Sequence, residues 1–424
     1  MPVIRQVHGR QIYDSRGNPT IEVDVVLADG TTGRAAVPSG ASTGRYEAVE
    51  LRDGGRAFGG KGVSRALAHV DGEIQSLLVG MAAEDQAEID RRLIELDGTA
   101  NKSRLGANAV LGASLAVARA AAHAQHLPLH RYLAQDGQEA TLPVPLLNVL
   151  NGGRHADNRL EIQEFLIVPH GFDSFAEALA AGVEVYQALR RELVLIGQRT
   201  AVGDEGGFAP DLSDDEEALR LLLQAVERAG FRPGEEVSLA LDLAANEMRQ
   251  GDGYRLNGAV LSAKALISQL ADWSERFPLV SIEDPMDEDD TLGWQEVTAA
   301  LGGRLQLIGD DNFVTSAARL RQGAEDHIAN AILIKPNQVG TLTETLTTIR
   351  TARELGYGAV VSHRSGDTED PLIADLTVAT GAGQIKTGAP CRQERLAKYN
   401  RLLRIAEQVP DAPYAGRLVF SQGR

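Results

Sequence analysis

The sequence predicts an α/β protein with an α+β N-terminal domain followed by a barrel of parallel strands and helices. Beyond about residue 140, short apolar runs alternate with amphipathic helices, a pattern typical of a parallel sheet. Several of these runs end in a charged residue, at intervals of one or two βα units of ~30 residues. The charged residues are Asp242, Glu283, Asp310, Lys335 and Lys386. In such a barrel they converge on one face.

The chain length predicts two domains. A chain of 424 residues is too long for one small core, and one of its parts must be barrel-sized. Pro143 and Pro145 interrupt the helical pattern. We therefore expect an N-terminal capping domain over residues 1–138 and a C-terminal barrel that carries the site over residues 139–424.

The N-terminal domain is predicted as a three-stranded meander followed by helices. Apolar and acidic residues alternate over 21–25, and an Asp-Gly pair at 29–30 supplies a hairpin turn before a strand over 31–37. Helical periodicity then covers 62–79, 84–96 and 107–125. The last helix is Ala-rich but contains polar residues, so we expect it to be a packed core helix rather than a membrane span.

The barrel is predicted to begin irregularly. Residues 145–168 resemble two strands joined by a Gly- and Asn-rich loop, before any helix. Further along, Ser213 with Glu216 and Thr341 with Glu344 have capping-box spacing, which predicts two helix starts.

Composition excludes several classes of protein. Apolar residues make up 43% and charged residues 24%, and the net charge is 42 − 59 = −17, which argues against nucleic acid or an anionic membrane as the main partner. Cys391 is the only cysteine, so no intrachain disulfide can form and a reducing compartment is expected. The N-terminus lacks the apolar stretch of a signal peptide. We predict a cytoplasmic protein without a membrane span.

Three strand-end carboxylates indicate a metal site. One acidic residue at a strand end is more often a turn former or a helix cap, but Asp242, Glu283 and Asp310 recur in phase. Carboxylates are hard oxygen ligands suited to Mg²⁺. Asp284 and Asp311 follow two of them directly, and alternation favours the first residue of each pair as the one that points inward.

The two strand-end lysines suggest acid–base chemistry. Lys335 follows a strand that should be buried on both sides, where an unpaired ammonium is costly. A buried lysine flanked by cations has a lowered pKa and can act as a base, and Lys386 could supply the second cation. The alternative is a lysine paired with one of the carboxylates. Together with the carboxylates, these residues suggest proton abstraction next to a metal-bound carboxylate.

Two loops carry candidate binding groups. The segment SHRSGDTED at 362–370 places His363, Arg364 and Ser365 between a strand and a helix. Arginine beside a hydroxyl and free backbone N–H groups suits a phosphate, although a solvated loop is an equal alternative. GDEGG at 203–207 sets Glu205 among glycines, where the backbone can approach a ligand; the alternative is a plain turn.

Two further glycine-bearing loops could cover a site. PSGASTG at 38–44 offers the hydroxyl or carbonyl of Ser39, and it is not a Walker loop because Arg and Tyr follow it. NGGRHADN at 151–158 offers His155, with Gln163 and Glu164 on the next strand. A lone histidine is usually structural, so its assignment depends on the other residues.

These motifs together resemble the enolase (phosphopyruvate hydratase) family, in its bacterial branch. They occur in order along nearly the whole chain, as DSRGNPT (14–20), VPSGASTG (37–44), LDGTANKSRLGANA (96–109), NVLNGG (148–153), GDEGGFAP (203–210), SIEDP (281–285), SHRSG (362–366) and GQIKTGAP (383–390). The resemblance implies a small lid domain and an eight-stranded TIM-like barrel that opens ββαα before six βα units. It also implies a homodimer, or an octamer built from dimers.

The resemblance implies a metal-dependent dehydration of 2-phosphoglycerate to phosphoenolpyruvate. Asp242, Glu283 and Asp310 would hold the first Mg²⁺, and a second Mg²⁺ would enter with substrate and bridge its phosphate to the Ser39 loop. The loops at 38–44 and 151–158 would close over the site.

The resemblance also implies a role for each remaining site residue. Lys335 would remove the C2 proton, and Glu205, assisted by Glu164, would protonate the departing C3 hydroxyl. Arg364 and Ser365 would bind the phosphate, and Lys386 the carboxylate. His363, Gln163 and His155 are further implied substrate contacts, and His155 is also counted among the catalytic residues.

Four positions depart from the family pattern, namely Asn246, Asn312, Pro336 and Cys391. They leave open an enolase-like paralogue that acts on a related phospho- or phosphono-compound, of the carboxyphosphonoenolpyruvate synthase type. A non-catalytic structural or surface-binding member would have lost site residues, and none is lost. A sugar-acid dehydratase of the wider superfamily is disfavoured by the GDEGG and SHRSG segments.

Overall fold

The N-terminal part is a three-stranded antiparallel meander packed against helices. The computed structural model describes residues 2–40, 44–134 and 138–421. The strands are β1 (Ile4–Tyr13), β2 (Pro19–Leu27) and β3 (Thr32–Ala36), in the order β1-β2-β3. At the predicted hairpin turn, Gly30 has φ 90°, a conformation that favours glycine.

The three predicted N-terminal helical spans are also present. They contain α1 (Ser64–His69) and α2 (Gln75–Leu78), with a π-helical turn at Val70–Ile74 between them, and then α3 (Gln86–Asp97) and α4 (Ala107–Ala124). A further short helix, α5 (Leu129–Tyr132), lies outside the predicted spans. Helix α4 is buried along most of its length, and a Cβ at Gly33 would lie 2.2 Å from the Ala116 carbonyl oxygen. It is the packed core helix that the sequence predicts. Among the described residues, no helix has the length and apolarity needed to cross a membrane.

Eleven strands follow in the described part of the C-terminal region. They are β4 (Val144–Asn151), β5 (Glu164–Val168), β6 (Ser238–Asp242), β7 (Arg249–Gln250), β8 (Gly253–Leu256), β9 (Ala259–Leu261), β10 (Leu279–Glu283), β11 (Gln306–Gly309), β12 (Ala331–Ile334), β13 (Gly358–Ser362) and β14 (Gly383–Lys386). Strands β7 to β9 form a small separate sheet. The other eight close into a barrel.

The helices of this region surround the barrel. They are α6 (Phe175–Leu195), α7 (Asp215–Arg228), α8 (Ala245–Met248), α9 (Ala263–Arg276), α10 (Thr291–Leu301), α11 (Ala317–Glu325), α12 (Leu342–Glu354), α13 (Leu372–Thr380) and α14 (Gln393–Gln408). Thr341 caps α12 as predicted. The other predicted cap is wrong by one residue, because the Asp214 carboxylate accepts the Glu217 N–H while Ser213 donates its hydroxyl to the Glu217 side chain.

The barrel confirms the predicted fold. Its strand order is β4-β5-β6-β10-β11-β12-β13-β14, closing back onto β4, and two helices separate β5 from β6, which gives ββαα followed by six βα units. Strand β5 alone runs antiparallel to its neighbours. The domain boundary between residues 138 and 139 stays a prediction.

The register of the barrel gathers charged residues at one rim. Glu164 lies opposite Asp242, and Asp242 lies opposite Glu283. Because β5 is reversed, Glu164 reaches this rim from the beginning of its strand, whereas Asp242 and Glu283 reach it from the ends of theirs. Lys386 ends the last strand at the same rim, opposite Ser362.

Candidate active site

A polar cavity opens at the carboxyl end of the barrel strands. Of the predicted site residues it is lined by His155, Gln163, Glu164, Glu205, Asp242, Asp310, Lys335, His363, Arg364, Ser365 and Lys386, and in addition by Ala244, Asp284, Asp311 and Ser362. Glu283 is not part of this lining but contacts Lys386, which is. The structure thus brings together all the predicted site residues except Ser39.

Lys386 is surrounded by carboxylates. Its ammonium lies 2.8 Å from Asp242, 2.7 Å from Glu283 and 3.1 Å from Glu164, and all four side chains are buried. Burial alone would lower the pKa of Lys386, but these carboxylates raise it well above its usual value. The lysine is therefore a fixed cation at the centre of the site.

Lys335 extends into the cavity from the end of β12. Its backbone is extended, with φ −122° and ψ 103°, and its ammonium contacts the Asp310 carboxylate. Burial works to lower the pKa of Lys335, but the Asp310 charge raises it. The predicted lowering by a neighbouring cation is therefore wrong for this state of the protein, and the alternative of a paired lysine describes it.

The two members of each acidic pair, Glu283-Asp284 and Asp310-Asp311, make different contacts. Glu283 faces Lys386, whereas Asp284 accepts the backbone N–H groups of Asp310 at 2.8 Å and Asp311 at 3.1 Å. Asp284 has φ 41°, an uncommon conformation outside glycine. Asp311 accepts a hydrogen bond from the Asn246 amide at 2.9 Å. Both second residues also line the cavity, so the second member of each pair belongs to the site as well.

Two groups of side chains could hold a metal ion. The ligand atoms of Asp284, Asp310 and Asp311 lie within 4.8 Å of one another, and so do those of His155, Glu164 and Glu205. The first group is made only of carboxylates, which fits a hard cation such as Mg²⁺. It shares Asp310 with the predicted metal-binding trio, and the other two members of that trio contact Lys386 instead.

Glu164 and Glu205 form a pair of like charges beside His155. Burial and the charge of Glu205 raise the pKa of Glu164 well above its usual range. Burial opposes the charge on Glu205, but His363, His155 and Arg395 together keep the pKa of Glu205 well below its usual range. Of the two carboxyl groups Glu164 is therefore the weaker acid and Glu205 the stronger, in the arrangement expected for an acid and its ionised partner.

The 362–370 loop holds its side chains firmly in the cavity wall. Arg364 pairs with Glu47 at 2.9 Å and with Asn337 at 3.0 Å. Arg395, which is fully buried, donates to the His363 ring at 2.6 Å and to the Arg364 carbonyl oxygen at 2.6 Å. The arginine of this loop is thus buried in the structure, which the alternative of a solvated loop does not explain.

Ser39 lies apart from the cavity. Its hydroxyl donates to Glu50 at 2.9 Å and its carbonyl oxygen accepts the Gly366 N–H at 2.9 Å. Both oxygens therefore already have partners in the contact between the N-terminal domain and the 362–370 loop. Residues 41–43 of the predicted lid lie outside the described residues.

None of the four departures from the family pattern lines the cavity. Pro336 begins a short 3₁₀ turn at Pro336–Gln338. Proline suits this first position because no backbone N–H is needed there for a hydrogen bond within the turn. Asn246 holds Asp311 and accepts the Glu288 N–H at 2.7 Å. The buried Asn312 amide has no hydrogen-bond partner within the described ranges, and nothing in the structure explains that choice of residue.

Sequence reasoning missed four residues that support the site. Asn148 donates to Glu205 at 3.1 Å, and Gln338 donates to Asp310 at 2.9 Å. Asn148 lies in the fully buried strand β4, and a polar residue inside an apolar strand is a signal that could have identified it. The other two, Glu47 and Arg395, reach the site from outside the barrel strands and carry no comparable local signal.

Comparison with known proteins relates both parts of the chain to one family. The family model described as "Enolase, N-terminal domain" matches residues 4–133, and "Enolase, C-terminal TIM barrel domain" matches residues 139–422. A curated protein named Enolase from Acidothermus cellulolyticus is 56% identical over 421 residues, which is 99% of this chain and 98% of that protein. The similarity therefore extends over nearly the whole chain.

Proposed function

The chain belongs to the enolase family and is a lyase of the phosphopyruvate hydratase type, and from this premise we propose that it dehydrates 2-phosphoglycerate to phosphoenolpyruvate, reversibly and with Mg²⁺. The observation that carries the proposal is one polar cavity that is lined by Lys335 together with the carboxyl groups of Glu164 and Glu205. A dehydration needs such a base and such an acid.

In the proposed reaction, Lys335 takes the C2 proton, and the C2–H electron pair moves into the substrate carboxylate to give an enolate. That electron pair then forms the C2–C3 double bond as the C3–O bond breaks, and the departing hydroxyl takes a proton from the Glu164 and Glu205 pair and leaves as water. Lys386 lies beside the acid pair, 3.1 Å from Glu164. A fixed cation there offsets the charge that develops on the substrate carboxylate when C2 loses its proton.

The proposed Mg²⁺ sites use the carboxylates of the rim. The family resemblance places the first ion on Asp242, Glu283 and Asp310, and the close grouping of Asp310 with Asp284 and Asp311 supports a cation on this side of the cavity. When bound, Mg²⁺ supplies positive charge that stabilises the enolate-like transition state and offsets the carboxylates that raise the pKa of Lys335. The second ion remains assigned to the Ser39 loop and substrate phosphate.

The remaining contacts are assigned by what each group can bind. Arg364 and Ser365 would hold the phosphate, which suits a guanidinium beside a hydroxyl. His363, His155 and Gln163 line the cavity and would contact substrate. The Gln163 side-chain oxygen is buried and has no partner among the described residues, so it can accept a hydrogen bond from a substrate hydroxyl.

The proposal is tested by following 2-phosphoglycerate conversion with Mg²⁺ through the absorbance of the enol product. We expect turnover with the wild-type chain, loss of C2 proton exchange in Lys335→Ala, and nearly unchanged Mg²⁺ binding in that variant. The matched control is Lys264→Ala, which replaces an exposed lysine on α9 and should behave as wild type. Full activity in Lys335→Ala would refute the base assignment.

A related phospho- or phosphono-compound is the second candidate substrate, because Asn312 and Pro336 adjoin the site and depart from the family pattern. Their absence from the cavity lining supports the first candidate. Assaying both classes side by side with metal-loaded protein separates them. Conversion of the second compound alone would favour the paralogue.

We also propose a cytoplasmic homodimer, as the family resemblance implies. Sedimentation of the purified chain measures the mass directly. A mass of about 45.3 kDa would identify a monomer and contradict the assignment.

A further inference from the structure

Glu47 in the N-terminal domain contacts the cavity residue Arg364 and also Gln338, a neighbour of Asp310. Its carboxylate accepts from Arg364 at 2.9 and 3.2 Å through two different nitrogens, and from the Gln338 amide at 3.3 Å. Gln338 in turn donates to Asp310 at 2.9 Å. One side chain from outside the barrel is therefore connected both to the arginine and to a rim carboxylate.

The ion pair is shielded from solvent. The Arg364 and Glu47 side chains are 3% and 6% exposed. A bidentate carboxylate fixes both the position and the plane of a guanidinium, and the Arg364 backbone is held separately, by Arg395. Glu47 therefore holds the guanidinium through two nitrogens, and Asn337 accepts a further hydrogen bond from it.

The segment around Glu47 is anchored by contacts besides this carboxylate, which itself accepts the Gly44 N–H at 3.0 Å. The Ala48 N–H donates to the Gln338 carbonyl oxygen at 2.8 Å, and the Tyr46 hydroxyl donates to Asp289 at 2.9 Å. Arg319 also lies 3.7 Å from the centre of the Tyr46 ring. Glu47→Gln keeps a side-chain oxygen that can accept the Gly44 N–H, and this substitution should therefore leave the segment in place.

We infer that Glu47 is a positioning residue, which orients Arg364 toward the substrate phosphate and so makes the N-terminal domain part of the catalytic unit. The inference rests on the proposed function, because it assigns Arg364 to the phosphate. Glu47 does not line the cavity, so its effect on substrate must pass through Arg364.

The test compares Glu47→Gln, Arg364→Lys and the double variant in the 2-phosphoglycerate assay. Glu47→Gln should lower kcat/KM by about 10- to 100-fold, the range of a buried charge-assisted hydrogen bond, mainly through KM. In the Arg364→Lys background the same change should have little further effect, because the partner of Glu47 has been altered. The inference would be overturned if the losses of kcat/KM in the two single variants multiplied in the double variant, or if KM were unchanged in Glu47→Gln.

Two controls keep the result interpretable. Glu344→Gln removes another interdomain carboxylate, paired with Lys102 at 3.0 Å away from the cavity, and should leave kcat/KM unchanged. If Glu47→Gln does not fold by circular dichroism, Glu47→Asp keeps the charge but draws it back, and it should also raise KM; a wild-type KM there would overturn the inference. Failure of the wild-type chain to turn over 2-phosphoglycerate would instead overturn the proposed function.

Discussion

Replacing Lys386 by methionine should destabilise the metal-free protein strongly. The ammonium is shared by Asp242, Glu283 and Glu164 within 3.1 Å. Methionine keeps much of the side-chain volume but leaves these buried carboxylates without a counter-ion. Removing one partner of a buried ion pair costs about 3–5 kcal/mol of unfolding free energy. We expect a loss of this size near neutral pH.

The loss should depend on pH with a definite sign. Burial and neighbouring carboxylates already raise the pKa of Glu164 and Glu283 well above their usual values, and removing Lys386 raises them further. The folded variant then holds protons that the unfolded chain, with carboxyl pKa values of about 4, does not hold. The difference in unfolding free energy between wild type and Lys386→Met should therefore shrink as the pH falls from 8 to 5.5.

Urea unfolding in metal-free buffer measures this directly. The fluorescence of Trp273 and Trp294, both buried, reports on the folded state. Lys102→Met is the matched control, because Lys102 pairs with a single, partly exposed carboxylate, and it should cost at most about 1 kcal/mol. The reasoning would be refuted if Lys386→Met lost no more unfolding free energy than Lys102→Met, or if its loss were constant between pH 5.5 and 8.

Three further substitutions test other parts of the site. Asp284→Asn should weaken Mg²⁺ binding about 10- to 100-fold in calorimetry, as expected when a group that orients a ligand is altered; equal affinity in this variant and in the exposed control Asp272→Asn would contradict that role. Asn148→Leu removes a donor to Glu205 and should lower kcat about tenfold without slowing C2 proton exchange; equal slowing of both would argue against a role confined to the acid. Burial raises the pKa of Asp215 to about 7, whereas in the unfolded chain it is about 4. This group should therefore make the wild-type unfolding free energy fall as the pH rises from about 4 to about 7 and level off above that, and Asp215→Asn should flatten that slope; parallel slopes would be the contrary result.

The barrel and most of the candidate site could be predicted because both follow from local patterns. An apolar run that ends in a charged residue shows where a buried strand reaches solvent, and Asp242, Glu283 and Lys386 do end their strands. Parallel strands of one barrel must end on the same face, so the convergence of these residues needed no tertiary information.

The sign of the lysine pKa shift could not be predicted in this way. It depends on whether carboxylates or cations lie nearest to each ammonium, and the partners of Lys386 lie more than 100 residues away in the chain. Glu47 was missed for the same reason, since it is 317 residues from Arg364. Ser39 was predicted from its loop alone, and the loop's sequence does not reveal that Glu50 accepts its hydroxyl.

The position of Lys386 on the last barrel strand has a consequence for folding. Strand β14 closes the barrel by pairing Lys386 with Leu146 of β4, so this pairing joins the first and last barrel strands. Until β14 docks, the carboxylates of β5, β6 and β10 lack the cation that neutralises them. Barrel closure and neutralisation of the site are therefore coupled, and the barrel pairing that joins the strands farthest apart in the chain is also the one that completes the charge balance of the site.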